Sequence, residues 1–307
     1  MNRIAGIVVA VVGLIIVLLS VLKIVPGLTQ TGVMLILLGG LIIGLSFVRK
    51  PETDETPRMS TPETLTKIFY APSEVFQNLR RHPRWLAAIL IMSVLSAIFY
   101  NAFLFRLTPE RVTSYAIDKT MEMPMMNDEA RKQIESGRAQ AIEDNKNPIS
   151  LAGQAVNGFI GQVFLFTFLG AVFFLIALAM GGKLNFWQAF AAAVYAYFPL
   201  AVIRFVLNTL ILFVKDPTDI HPILGQGSLI QDSLNFLVTP SQSPVLYTLL
   251  SAFSLLAFYW IWTNATGLKN AGERVSPTVA WSASLIIFFI GVVFSVIAAF
   301  LFPSFIS

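Results

Sequence analysis

The stretch Ile68-Phe-Tyr-Ala-Pro-Ser-Glu-Val-Phe-Gln-Asn-Leu-Arg-Arg-His-Pro-Arg-Trp85 is the most basic part of the chain and lies between long hydrophobic regions. Ser73 has a side chain of the type that caps the first turn of a helix. Phe76 and Leu79 share one face of that helix. Pro83 disfavours helical backbone at the residue before it, so the helix ends there. The pattern predicts a short amphipathic helix that lies on a bilayer surface.

Three arginines close this stretch, immediately before a hydrophobic run that starts at Trp85. Positive side chains beside a span mark its cytoplasmic end. Each is attracted to an anionic leaflet by roughly 1 kcal/mol. We therefore predict a cytoplasmic lipid interface that consists of Phe76, Leu79, Arg80, Arg81 and Arg84.

Composition places the chain among integral membrane proteins. Of its 307 residues, 56% are hydrophobic and only 12% are charged, and the charges gather in a few segments. Long runs without charge predict an all-α membrane protein with several spans. The net charge is +4, and most of the excess lies beside hydrophobic runs, so the expected counterions are anionic lipid headgroups and not nucleic acid. There is no cysteine, which excludes disulfides and thiolate chemistry.

Seven hydrophobic runs are long enough to cross a membrane. The first two, residues 4–22 and 32–48, are predicted to form a hairpin around a Pro26-Gly27 turn. Gly40 and Gly44 in the second run have the spacing that lets two helices approach closely. The other five runs start at these residues: Trp85, Gly153, Phe190, Pro244 and Val279.

We divide the chain into a transmembrane hairpin (1–50), a cytoplasmic linker with interfacial helices (51–84) and a five-span domain (85–307). The five-span domain contains a hydrophilic extracytoplasmic insert at 106–150 and a second external loop at 215–243. Basic residues concentrate on the side of the linker, which predicts a cytoplasmic N-terminus and an extracytoplasmic C-terminus.

Helix start signals occur in each hydrophilic segment. Thr61-Pro62-Glu63 supplies a cap, a first helical position and an acidic first turn. Thr108-Pro109-Glu110 gives the same signal in the insert, and Asn127 is predicted to cap a helix that reaches about Asp144. Ser228 is predicted to begin a short surface helix in the second external loop.

Several short motifs resemble those of a known family. Ala71-Pro-Ser-Glu-Val-Phe76 resembles the start of the Yip domain, the Ypt/Rab-interacting protein family, in its bacterial branch. Gly181-Gly-Lys-Leu-Asn-Phe-Trp-Gln-Ala189 and Tyr195-Ala-Tyr-Phe-Pro199 resemble its middle, and Gly267 with Ser276-Pro277 resembles its last loop. The positions that carry this motif are Pro72, Pro83, Gly182, Phe186, Pro199 and Gly267.

The resemblance covers about residues 65–302 and implies five spans with a cytosolic N-terminal side. In eukaryotic members an acidic glycine-proline motif, tied to GTPase partners, precedes the first span of the domain. This chain has Arg80-Arg81-His82-Pro83 at that place. A Rab-type GTPase partner is therefore not expected.

A search of the sequence for catalytic groups gives little. The histidines are His82 and His221, each followed by proline and neither with a ligand or nucleophile at a useful spacing. The predicted spans contain no aspartate or glutamate for proton transfer. The methionines of Met121–Met126 suit Cu(I) or, more simply, packing on the membrane surface. We expect no enzyme activity, no cofactor and no metal.

Two function classes follow. The first is a non-enzymatic integral membrane scaffold or accessory protein of the bacterial cell envelope, located in the inner membrane. The resemblance suggests assistance to an ABC-type exporter or to membrane organisation. The alternative is a facilitative small-molecule transporter or channel through the bundle, which is suggested by polar residues within the spans: Asn157, Gln162, Arg204 and Asn208.

Arg204 lies near the middle of the fifth run, where an arginine costs roughly 2.5 to 3.5 kcal/mol on insertion scales. Asn208 lies one turn away on the same helix face. Pro199 leaves the carbonyl of Tyr195 without its helical donor. We predict that Arg204 points into the bundle and is held there by Gln162 or Asn157 and by freed carbonyls. The alternative is that its side chain extends along the helix to the membrane surface.

Overall fold

The computed structural model describes residues 3–25, 27–51, 57–123 and 126–306. The predicted turn residue Pro26 and Met125 of the methionine-rich stretch lie outside them. Thirteen α-helices occur in the described residues: α1 (Arg3–Val21), α2 (Thr29–Leu45), α3 (Thr61–Lys67), α4 (Pro72–Arg81), α5 (Leu86–Leu107), α6 (Pro109–Met121), α7 (Asp128–Asp144), α8 (Pro148–Ala179), α9 (Phe186–Val214), α10 (Leu224–Gly227), α11 (Pro244–Ala252), α12 (Leu255–Ala271) and α13 (Pro277–Leu301). The predicted all-helical class is confirmed, since these ranges contain no named strand and only two isolated bridges.

Five described helices are long and apolar enough to cross a membrane: α1, α5, α8, α9 and α13. Helix α2 is apolar but shorter, with 17 residues. In α1 the buried residues are two glycines and one serine, while the large aliphatic side chains are exposed and available to lipid. The chain is therefore a multi-pass membrane protein that contacts the bilayer.

The N-terminal hairpin packs through glycines other than those predicted. A Cβ on Gly39 of α2 would lie 2.6 Å from the carbonyl oxygen of Gly6, and one on Gly13 of α1 would lie 2.7 Å from the carbonyl oxygen of Gly32. Gly40, by contrast, has open space beside it, as does Gly44. The predicted Gly40–Gly44 contact is wrong, because the face that meets α1 is set by Gly32 and Gly39, seven residues apart.

The chain divides into two compact units, each built from three separate stretches. Unit 1 comprises Met1–Val94, Pro148–Pro199 and Thr263–Ala283, and unit 2 comprises Leu95–Asn147, Leu200–Trp262 and Ser284–Ser307. The predicted domain boundaries after residues 50 and 84 stay predictions.

The first half of α9 forms the core of unit 1, since every residue from Phe186 to Ala196 is buried. Helix α8 approaches it closely at Gly170, where a Cβ would lie 2.8 Å from the Cα of Phe190. The ring of Trp85 packs against Phe190 with their centroids 5.3 Å apart. Small residues therefore let bulky aromatic rings fill this core.

In unit 2 the hydrophilic insert is a pair of helices, as predicted. Thr108 caps α6 and Asn127 caps α7, each through a side-chain oxygen that accepts a backbone N–H. Arg138 of α7 donates to Asp118 of α6 at 2.6 Å and to Glu135 at 2.7 Å. These carboxylates raise the pKa of Arg138 above its ordinary value.

The loop from 215 to 243 packs against α6 within unit 2. The guanidinium of Arg111 donates to the carbonyl oxygens of Pro217 and Ile220 at 2.6 and 3.1 Å. His221 Nδ1 accepts the backbone N–H groups of Ile223 and Leu224, and its Nε2 lies 3.2 Å from the hydroxyl of Tyr115. The surface helix predicted from Ser228 does not start there: residues 228–233 are not helical, and a short 3-10 helix covers Leu234–Leu237.

The run predicted as one span from Pro244 is divided at Phe253 and Ser254 into α11 and α12. The start of α12 is capped by the hydroxyl of Ser254, which accepts the N–H of Ala257 at 3.1 Å, and by Asp232 of the loop 215–243. The carboxylate of Asp232 accepts the N–H of Leu256 at 2.9 Å, and its backbone carbonyl accepts the N–H of Leu255 at 3.2 Å. These are unpaired donors of a new helix end, which Ser254 and Asp232 cap together.

Candidate functional site

The most densely bonded polar region of unit 1 begins with α3. Its N-cap is Ser60, one residue before the predicted Thr61, and Ser60 forms a reciprocal capping box with Glu63. Lys67 pairs with Glu63 at 3.0 Å one turn later. The hydrogen bond from Lys67 lowers the pKa of Glu63 below its ordinary value. Local sequence alone therefore defines the start of this helix.

Helix α4 presents its apolar face to protein. Its N-cap is Ala71, with Pro72 at the first helical position, so the predicted cap at Ser73 is wrong. Phe76 and Leu79 are both 0% exposed. Their assignment to a lipid interface is therefore wrong, since no surface of either side chain is left for lipid. Burial of such a side chain contributes about 1.5–3 kcal/mol.

Gly267 of α12 lets α4 pack closely against this helix. A Cβ at this position would lie 3.1 Å from two carbons of the Phe76 ring. The family motif therefore has a packing role here: Pro72 starts α4, and Gly267 makes room for its central aromatic ring.

The amide of Asn78, 7% exposed, joins α4 to the chain before α3. Its Nδ2 donates to the carbonyl of Pro57 at 2.9 Å, and its Oδ1 accepts the N–H of Met59 at 3.2 Å. Arg84 donates to the same oxygen at 3.3 Å and to the Thr64 hydroxyl at 2.7 Å. Burial lowers the pKa of Arg84. Arg84 thus binds protein groups, whereas lipid contact by Arg80 and Arg81 stays a prediction.

Gln188 fixes the end of α4 to the start of α9. Its Nε2 donates to the carbonyl of Arg80 at 2.9 Å, and its Oε1 accepts the N–H of Asn185 at 2.8 Å. Gln77 adds a contact to Asn270 at 3.3 Å. Helices α3 and α4, which we call the docked pair, are therefore held against the rest of unit 1 by buried rings and by hydrogen bonds.

The turn between α8 and α9 carries a further ionic group. Gly181 has φ of +78°, a conformation that favours glycine, and a Cβ on Gly182 would lie 2.8 Å from the Ala177 carbonyl. Lys183 then pairs with Glu273 at 2.7 Å. Lys183, followed by the nearby Arg80 and Arg81, lowers the pKa of Glu273. Basic side chains of two segments, the α8–α9 turn and the end of α4, thus surround one carboxylate.

The predicted intramembrane polar residues divide between the two units. In unit 1, Gln162 lies 3.3 Å from the Ser93 hydroxyl, while the buried Oδ1 of Asn157 has no hydrogen-bond partner among the described residues. In unit 2, Asn208 accepts the N–H of Leu229 at 2.9 Å, and the buried Nε of Arg204 has no such partner in the described ranges. A tie between Arg204 and Gln162 or Asn157 stays a prediction.

Pro199 interrupts the hydrogen-bond ladder of α9 inside unit 1. The buried hydroxyl of Thr263 donates to the carbonyl of Ala196 at 3.0 Å, one residue after the carbonyl that the proline leaves without its helical donor. Thr263 is a bundle contact that the sequence analysis missed, because nothing local distinguishes it from any other polar residue of α12.

Comparison with known proteins completes this description. No curated protein and no solved structure matches the chain. A family model described as the Yip1 domain matches residues 66–301, which include α4 to α13 and all six predicted motif positions. The chain is thus a multi-pass membrane protein that belongs to the Yip1 domain family.

Proposed function

We propose that this protein is a non-enzymatic scaffold or accessory subunit in the inner membrane of a bacterial cell envelope. In this proposal seven segments span the membrane, the N-terminus and the docked pair are cytoplasmic, and the C-terminus is extracytoplasmic. By family resemblance, the partner is another membrane protein, such as an ABC-type exporter.

The docked pair is the observation that carries this proposal. Its inner face is fixed to unit 1, so its outer face is a preformed surface. The turn between its two helices carries Tyr70, which is 72% exposed, and the exposed Phe69, and Glu74 of α4 is also exposed. A large exposed aromatic residue on a rigid support is typical of a protein contact. Such a surface favours stable binding of another protein over transport or conversion of a small molecule.

The proposal is tested with a photo-crosslinking side chain at position 70 of the full-length protein in native membranes. We expect one membrane protein to be cross-linked and to co-purify at a fixed ratio. Tyr70→Ala should abolish co-purification. Phe236→Ala, which truncates an equally exposed aromatic residue of the external loop, should not. The scaffold role is rejected if no membrane protein co-purifies at a fixed ratio or if both variants behave alike.

A facilitative transporter is the second candidate, supported by polar groups inside unit 2. Within the described residues, the buried Arg204 Nε and Thr209 Oγ1 have no hydrogen-bond partner. The division between α11 and α12 is also typical of transporters, whose substrates bind at broken helices. Purified protein in liposomes should then carry a small anion, and Arg204→Leu should abolish that flux. Absence of flux for the unmodified protein would leave the scaffold as the better explanation.

A further inference from the structure

A cleft of about 690 Å³ opens in unit 1 between the end of the N-terminal hairpin and the turn that joins α8 to α9. Its volume falls within the range of about 300–1,000 Å³ that is usual for small-molecule sites. Among the described residues of its lining, the basic ones are Arg49, Lys50 and Lys183, and the acidic one is Glu273. The hairpin end contributes Arg49 and Lys50, which lie outside the motif, whereas Lys183 and Phe186 of the lining belong to the Gly181–Ala189 motif.

The basic side of the cleft is held in place by the start of α9. The indole Nε1 of Trp187 donates to the carbonyl of Val48 at 3.3 Å. The Nδ2 of Asn185 donates to the carbonyl of Arg49 at 3.1 Å. These bonds fix the backbone that carries Arg49 and Lys50, so both side chains extend from an anchored position beside Lys183.

The charges around the cleft favour an anion. Three positive side chains face one carboxylate in the lining, and that carboxylate already pairs with Lys183 at 2.7 Å. Arg80 and Arg81 add positive potential, since both stabilise the ionised form of Glu273. Lys50 is exposed, and exposed lysines near a bilayer attract anionic headgroups.

Part of the lining is apolar and belongs to a helix that is long and apolar enough to span the membrane. Ala171, Phe174 and Leu175 of α8 contribute this part. Leu175 is 60% exposed, so the apolar part continues onto the lipid-facing surface of the same helix. An occupant would therefore meet cations at one end and hydrocarbon-compatible surface at the other.

We propose that this cleft binds an anionic glycerophospholipid, with the phosphate headgroup on Arg49, Lys50 and Lys183 and the first part of an acyl chain along Phe174 and Leu175. The volume suits a headgroup and the adjoining carbons, while the rest of the lipid stays in the bilayer. This site differs from the basic end of α4 and does not depend on the scaffold role. Glu273 competes with the headgroup for Lys183.

Native mass spectrometry of the full-length protein in detergent, titrated with phosphatidylglycerol or phosphatidylcholine, tests the site. We expect selective binding of phosphatidylglycerol. Changing Arg49 and Lys50 together to Gln should weaken phosphatidylglycerol binding about 10- to 30-fold, because each lost charge contributes roughly 1 kcal/mol. The matched control changes Arg131 and Lys132 of α7 to Gln, two adjacent exposed cations outside the cleft, and should leave affinity unchanged. Equal loss in both variants would overturn the proposal.

Two more variants keep the test independent of folding defects. Glu273→Gln removes the competing carboxylate and should strengthen binding of phosphatidylglycerol several-fold, whereas damage to the fold would weaken it. Leu175→Asp places a carboxylate on the apolar part of the lining and should weaken binding. Inorganic phosphate should not displace the lipid at equal concentration. Displacement by phosphate, or no gain with Glu273→Gln, would rule out a lipid site of this design.

Discussion

Asn78 is the residue whose removal should most disturb the docked pair. Asn78→Ala removes the partners of the Pro57 carbonyl and the Met59 N–H and the weaker of two acceptors of the Arg84 guanidinium. Leaving buried polar groups unpaired costs about 1–3 kcal/mol. We expect a loss of about 2 kcal/mol in chemical unfolding in detergent, together with faster tryptic cleavage after Arg58.

Ser73→Ala is the matched control for this prediction. Ser73 is an exposed residue of the same helix and does not cap it. It should leave both the unfolding free energy and the cleavage rate unchanged. Equal behaviour of the two variants would show that the amide of Asn78 does not hold the docked pair on unit 1.

His221 organises the external loop through its ring nitrogens. Because Nδ1 accepts the N–H groups of Ile223 and Leu224, the hydrogen of the neutral ring is on Nε2 and points to Tyr115. His221→Leu should cost about 1–3 kcal/mol, whereas Tyr115→Phe removes one hydrogen bond and should cost about 0.5–1.5 kcal/mol. Thermal unfolding in detergent measures both. A larger loss for Tyr115→Phe would contradict this assignment.

Among the elements, the α1–α2 hairpin depends on one face of α2. Gly39→Ala would place a Cβ 2.6 Å from the Gly6 carbonyl and 2.7 Å from Ala10, whereas Gly40→Ala adds a methyl group in open space. Overpacking a tight contact costs about 1–3 kcal/mol. Gly39→Ala should therefore lower the midpoint of thermal unfolding, and Gly40→Ala should not. If Gly40→Ala lowered the midpoint more than Gly39→Ala, the hairpin would pack through Gly40 and Gly44 as the sequence predicted.

The start of α12 depends on a residue that is distant in sequence. Asp232→Ala removes the acceptor of the Leu256 N–H, and loss of a cap costs about 0.5–2 kcal/mol. Hydrogen exchange at Leu256 should become up to about tenfold faster. Asp232→Asn keeps a side-chain oxygen and should exchange nearly like the unmodified protein. Unchanged exchange in Asp232→Ala would mean that Asp232 does not stabilise the start of α12.

At the scale of the whole molecule, the orientation in the membrane is testable because the chain has no cysteine. Ser73 and Ser136 are both exposed and lie on opposite sides in the proposed topology. Ser136→Cys should react with an impermeant thiol reagent in intact cells, and Ser73→Cys should react only after lysis. Ser60 is a poorer probe, since its hydroxyl caps α3. If only Ser73→Cys were labelled in intact cells, the protein would have the opposite orientation to the one proposed.

The sequence by itself determined the class of the protein, its family and the starts of the two insert helices, α6 and α7. Hydropathy depends only on a window of neighbouring residues, so the long apolar helices were predictable. Capping is equally local: Thr108 and Asn127 satisfy N–H groups within three residues of themselves.

Only the tertiary structure decided which apolar and small faces meet protein and which meet lipid. Phe76 and Leu79 form the apolar face of an amphipathic helix, and such a face suits lipid and protein equally well. Both side chains are buried by packing against the rest of unit 1. Gly39 and Gly40 are adjacent and chemically identical, but only one lies in the helix contact. Asp232 caps the start of α12, together with the local Ser254, through a bond to a residue 24 positions away. Such choices depend on helix rotation and long-range hydrogen bonds, which a local pattern does not contain.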